Sequence, residues 1–119
     1  MIDTGVHVIV GDAALGKALA RRIARAPGFS VAHQDGAFED VRAGEVILTT
    51  PSDCSLVQCD ELIDAGVQVV LLSPVPREAE RANYVLIGAR YLAMRVDTEE
   101  LFGALREAAD ALRSRGDAD

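Results

Sequence analysis

Val46-Ile47-Leu48 is an unbroken apolar run, and Val67 to Leu72 is a second, interrupted only by Gln68. A strand without alternation must be covered on both faces, as the inner strands of a parallel sheet are. Thr49 and Thr50 end the first run, and Pro51 cannot donate to a ladder there. In an open α/β sheet the chemistry sits just outside the carboxyl ends of the strands. Thr50 therefore stands where a reactive group belongs, and it offers a hydroxyl, not a carboxylate.

Elements of both kinds alternate around these two runs. His7 to Val10 reads as a first strand, turned at Gly11-Asp12. Ala14 to Ala26 reads as a helix, with Leu15, Leu19, Ile23 and Ala26 on one stripe and Lys17, Arg21, Arg22 and Arg25 off it. Phe29 to Ala32 is a second strand, and Gly36 to Ala43 a short helix closed by Gly44. After the central strand, Ser52 or Asp53 is the expected cap of a helix running to about Ala65, with Leu56, Leu62 and Ile63 inward and Gly66 as its stop. Arg77 to Ile87 is the next helix, and Tyr91 to Met94 a fifth strand. Thr98 is the expected cap of a last helix, which buries Leu101, Leu105, Ala108 and Leu112 and carries Glu99 and Glu100 in its first turn. Strands and helices alternating five times predict a right-handed parallel α/β sandwich. One domain is expected over residues 4–113, with 114–119 as a tail or the start of a linker.

Charge narrows the function classes. The net charge is −7, and of the twelve basic residues all but Lys17 are arginine. That balance argues against direct contact with nucleic acid, which needs a basic face. No apolar run is long enough to span a membrane, and Met1-Ile2-Asp3 lacks the basic start of a signal peptide. Cys54 and Cys59 form no second pair, so they read as two reduced thiols of a cytoplasmic protein, not as a zinc site. His7 and His33 have no ligand pattern around them. No cofactor and no catalytic residue is indicated.

The order of elements, from His7 to about Leu112, resembles the receiver domain of two-component response regulators. Gly88-Ala89-Arg90-Tyr91-Leu92-Ala93-Met94, followed by Asp97-Thr98-Glu99-Glu100-Leu101, carries the most specific part of it. Val8 to Asp12, with Leu19 to Ile23 behind, is similar to receivers attached to LuxR-type (NarL-like) DNA-binding domains. The resemblance implies a five-stranded parallel sheet in the order 2-1-3-4-5, with helices on both faces. It also implies a phosphoacceptor aspartate after strand 3, an acidic pair after strand 1 that holds Mg²⁺, and a lysine on strand 5. A hydroxyl after strand 4 and an aromatic on strand 5 form the family's switch. Here the acceptor position is Thr50, the acidic pair is Gly11 and Asp12, and the lysine position is Met94. Ser73 and Tyr91 match the switch. A hard cation needs several oxygen ligands, and Asp12 with a threonine hydroxyl is a poor cage. The expectation is a pseudo-receiver that works without aspartate phosphorylation and controls transcription through an attached or partner effector, such as a DNA-binding domain after Asp119. Asp53 reads as a helix cap more readily than as a displaced acceptor.

Two other readings compete. Gly11, Ala13 and Gly16 with Asp35 downstream resemble a Rossmann NAD(P)-binding turn, although Ala13 replaces the glycine that admits the pyrophosphate. A vacated pocket among Asp12, Thr50, Ser73 and Met94 would suit a small-molecule sensor. The resemblance further implies self-association through the helix 4–strand 5–helix 5 face. There Arg81, Arg90, Arg95 and Arg106 stand against Glu78, Glu80, Asp97 and Glu107, both signs on one patch, which suits a two-fold contact.

Overall fold

The computed structural model describes residues 4–34, 37–117. Five strands form one sheet: β1 (Thr4–Val8), β2 (Phe29–Gln34), β3 (Val46–Thr49), β4 (Gln68–Ser73) and β5 (Arg90–Ala93). Four helices connect or follow them: α1 (Ala13–Ala24), α2 (Leu56–Asp64), α3 (Glu78–Leu86) and α4 (Thr98–Asp117). All four strand pairings are parallel, in the order β2-β1-β3-β4-β5. A dinucleotide-binding core would run 3-2-1-4-5, so the Rossmann reading is overturned by the topology. Asp35, its ribose-binding acid, lies outside the described residues.

The two apolar runs occupy the inner strands. All of β3 and all of β4 are buried. Each presents alternate residues to two cores. Val46, Leu48, Val70 and Leu72 meet Leu19 and Ile23 of α1 and Leu101, Leu105 and Ala108 of α4. Ile47, Val69 and Leu71 meet Cys59 and Leu62 of α2 and Tyr84 of α3. The expected stripes of the first and last helices are therefore the buried ones, with Leu15 and Leu112 partly covered.

Local boundaries moved where backbone pairing overrides the residue pattern. β1 begins at Thr4 and ends at Val8, because its ladder partners on β2 start at Phe29; Ile9 and Val10 are buried but outside the strand. β2 continues past Ala32 to Gln34. Helix α2 opens at Leu56, capped by the Ser55 hydroxyl accepting from the Gln58 N–H, and neither Ser52 nor Asp53 caps it. Leu56 is consequently exposed in the first turn and does not face the core. The last helix is capped by Asp97, whose carboxylate accepts from the Glu100 N–H at 2.8 Å, not by Thr98. That helix runs to Asp117, across the boundary expected at 113, and residues 118–119 lie outside the described residues.

One expected helix is missing. Between β2 and β3 the described chain forms only a single 3₁₀ turn, Phe38–Asp40. Phe38 and Val41 are the only large apolar side chains between 36 and 43, which is too little for a helix to bury. The helices α3 and α4 are thus the fourth and fifth of the sequence reading.

Candidate functional site

The carboxyl ends of β1, β3 and β4 bring the expected site residues to one end of the sheet. Thr49, the last residue of β3, is buried and donates its hydroxyl to the Ile9 carbonyl at 2.6 Å. This bond fixes the chain after β1 to the end of β3 and aims the next side chain, Thr50. The Thr50 hydroxyl donates to Asp53 Oδ2 at 2.6 Å, and the Asp53 N–H points back at the Thr50 hydroxyl at 3.3 Å. The Asp53 carboxylate therefore lies inside the site, where sequence reasoning placed a helix cap.

Gly11 explains how it fits. A Cβ at that position would stand 2.9 Å from Asp53 Oδ1, closer than real contacts allow. Asp53 occupies space that a side chain at residue 11 would claim. The remaining acid of the pair, Asp12, is exposed and committed elsewhere: its carboxylate caps α1 by accepting from the Leu15 N–H at 3.0 Å. Met94 follows β5 in a turn, donates its N–H to the Ser73 carbonyl, and packs its side chain against the core beneath α1 and α4. Where a cation is expected, there is a thioether. A magnesium ion would need converging oxygen ligands. One carboxylate is bound to a hydroxyl, the other caps a helix, and among the described residues no group of three or more His, Cys, Asp or Glu converges. These donors do not fit the ion.

Ser73 and Tyr91, the residues expected at the switch, are both buried, Ser73 at the end of β4. Tyr91 is buried rather than wet: its hydroxyl donates to Glu80 and accepts from the Arg77 N–H at 3.3 Å. Its ring stacks on Tyr84, with centroids 6.0 Å apart. Tyr84 in turn donates to the Cys54 carbonyl at 2.7 Å, and burial pushes its own phenol up to about 12. Hydroxyl, carboxylate and stacked rings tie β5, α3 and the turn before α2 together. Nothing in the sequence spacing marks Glu80 or Tyr84 for this role.

The pocket expected among Asp12, Thr50, Ser73 and Met94 takes another shape. A cleft of about 320 Å³ lies to one side, lined by Pro51, Ser52, Ser73, Pro74, Val75, Arg77 and Glu80, so Ser73 alone of the four reaches it. Cys54 and Cys59 are free and buried; the hydrogen bond between their thiols and the burial push Cys59 up. His7 is buried with Nε2 3.1 Å from Glu45 Oε1. Burial would raise the Glu45 carboxyl, but hydrogen bonds from Arg42 and His7, with their charges, outweigh it and hold it below its ordinary range.

Of the expected interface charges, Arg81 pairs with Glu78 at 3.3 Å and Arg90 with Glu107 at 3.5 Å and Gln68 at 2.9 Å. Arg106 donates to the Phe102 carbonyl, and Asp97 is the α4 cap. Arg95 is exposed in the turn after β5. Glu80 faces Tyr91, not solvent partners.

The sheet order and the disposition of helices match solved structures over nearly the whole chain. The fold is that of response-regulator receiver domains. The signal receiver domain of NarL from Mycobacterium tuberculosis superposes with a TM-score of 0.76 at 14% identity, over 92% of this chain and 98% of that one. A Burkholderia thailandensis protein assigned to pilus assembly gives a TM-score of 0.75 at 20% identity, over 92% and 99%. A response regulator from Burkholderia pseudomallei, solved with a phosphorylated aspartic acid, a calcium ion and citrate, gives 0.70 at 21%, over 96% and 73%. No protein-family model matches the chain, and no curated protein matches it. Over nearly its whole length the chain thus shares the receiver fold with these structures.

Proposed function

We propose that the chain is a pseudo-receiver, a regulatory domain that takes no phosphoryl group by the aspartate route and acts through protein contacts. The observation that carries this is the Thr50–Asp53 hydrogen bond at the end of β3. A threonine hydroxyl cannot form an acyl-phosphate, and the nearest carboxylate is already satisfied by it. With Met94 in place of the expected lysine, a transferred phosphoryl group would lack the counter-charge that a strand-5 cation supplies. Control of transcription would then pass to an attached or partner effector.

Intact-mass measurement after acetyl phosphate and Mg²⁺ treatment tests the proposal. No added phosphoryl mass is expected, and millimolar Mg²⁺ should leave the melting temperature unchanged, since an ion that binds the folded state would raise it. A phosphoryl adduct mapped to Asp53 or Thr50 would overturn the reading.

Self-association through α3, β5 and α4 belongs to the same proposal. Of the four arginines expected there, Arg81 and Arg90 pair with acids and Arg106 bonds a carbonyl, while Arg95 shows no bond among the described residues. Arg95→Glu is expected to weaken the dimer without lowering the melting temperature. Sedimentation at several concentrations reads this directly, and a monomer throughout for the parent chain ends it.

A further inference from the structure

The segment that fails to form a helix between β2 and β3 leaves a second cleft on the α2 side of the sheet. Its volume is about 520 Å³, and it runs between the 3₁₀ turn and α2. One wall is Ala37, Phe38, Glu39 and Val41. The other is Gln58, Glu61, Leu62 and Ala65, which are spaced i, i+3, i+4, i+7 along α2. That spacing is the row a neighbouring helix packs against. Among the described residues no helix packs there; Phe38 and Val41 lie against the cluster that holds Leu62, and on the same face Ser30 of β2 is exposed.

The walls are fixed. Asp40 accepts from the Ala37 N–H at 3.4 Å, and the Val41 N–H donates to the Phe38 carbonyl. The Gly44 N–H donates to the Gly66 carbonyl at 3.0 Å, tying the segment to the end of α2. A preformed groove costs a ligand little ordering. Its floor is apolar, with Leu62 buried and Phe38 and Val41 partly buried. Glu39 and Glu61 stand exposed on opposite walls, Asp40 is beside one of them, and no basic side chain lines the cleft.

We infer that this cleft is a docking groove for a basic amphipathic helix of another protein. The helix would lay a short apolar row on Phe38, Val41 and Leu62 and place lysines or arginines against Glu39 and Glu61. It takes the position that a helix of the chain itself would have filled. The inference does not depend on whether the domain is phosphorylated.

The probe is a fluorescent peptide of about 15 residues, long enough to form a helix when docked, with leucines on one helical face and lysines elsewhere. A scrambled peptide of the same composition lacks the face. Anisotropy on the full chain should show saturable binding of the amphipathic peptide and markedly weaker binding of the scramble. Glu39→Lys with Glu61→Lys should weaken binding about tenfold or more. Glu99→Lys with Glu100→Lys, on α4, changes the net charge equally and should leave most of the affinity. Melting curves confirm that both double variants fold. Equal losses from the two double variants would show attraction to the overall negative charge, and equal binding of the scramble would show no groove recognition. Either result overturns the inference. So does self-association of the chain that Glu39→Lys with Glu61→Lys abolishes, because the occupant would then be a second copy.

Discussion

Leu48→Ala is expected to lower the unfolding free energy by about 2–5 kcal/mol, the range for emptying a leucine from a close-packed interior. Leu48 is fully buried in β3, the middle strand, with Val8 beside it on β1 and Val70 on β4. Its neighbours are main-chain-fixed strand residues and the buried stripes of α1 and α4, so the site cannot collapse cheaply. Leu86→Ala is the contrast: that side chain is 85% exposed, and its loss should stay within about 0.5 kcal/mol. Urea titrations of the two variants measure both. A loss below about 1 kcal/mol for Leu48→Ala would mean that the two cores are not built around β3.

Tyr91→Phe is expected to cost about 1.5–3 kcal/mol, as removal of a hydrogen bond to a charged group does. The phenylalanine keeps the stack on Tyr84 but leaves Glu80 without its donor and the Arg77 N–H without its acceptor. Glu80→Gln should cost less, because an amide oxygen still accepts from the tyrosine. Urea titration separates these outcomes. A change within about 0.5 kcal/mol for Tyr91→Phe would show that the hydroxyl is satisfied by water and that its bond to Glu80 holds nothing. The larger loss would show an aromatic held inward without any modification of the domain.

The fold was legible because its strongest signals are local. Val46-Ile47-Leu48 and Val67 to Leu72 required burial on both faces, and the helical stripes at Leu19/Ile23 and Leu101/Leu105/Ala108 named the surfaces that cover them. Caps were harder. Ser52, Asp53 and Ser55 are all competent cap residues within one turn, and which one serves depends on where Pro51 and Thr50 leave the chain. The 36–43 segment was misread because Gly36 and Gly44 bracket it as they would a helix, while its interior holds too few apolar residues in register.

The strand pattern placed the candidate residues along the chain but not their bonds. Thr50 follows β3, Ser73 ends β4, Tyr91 lies within β5 and Met94 follows it. Asp53 against Gly11 is a contact between distant parts of the chain, and no spacing announces it. The same is true of Glu80 meeting Tyr91 from the first turn of α3.

The chain contains no tryptophan and only two tyrosines, Tyr84 and Tyr91, and these are the stacked pair between α3 and β5. Its intrinsic fluorescence and the tyrosine part of its near-ultraviolet circular dichroism therefore come from one place. The molecule carries a built-in optical probe at the junction of α3 and β5. Any partner, ligand or temperature step that parts α3 from β5 will be visible without a label, while the core around Leu48 can rearrange with little change in tyrosine emission.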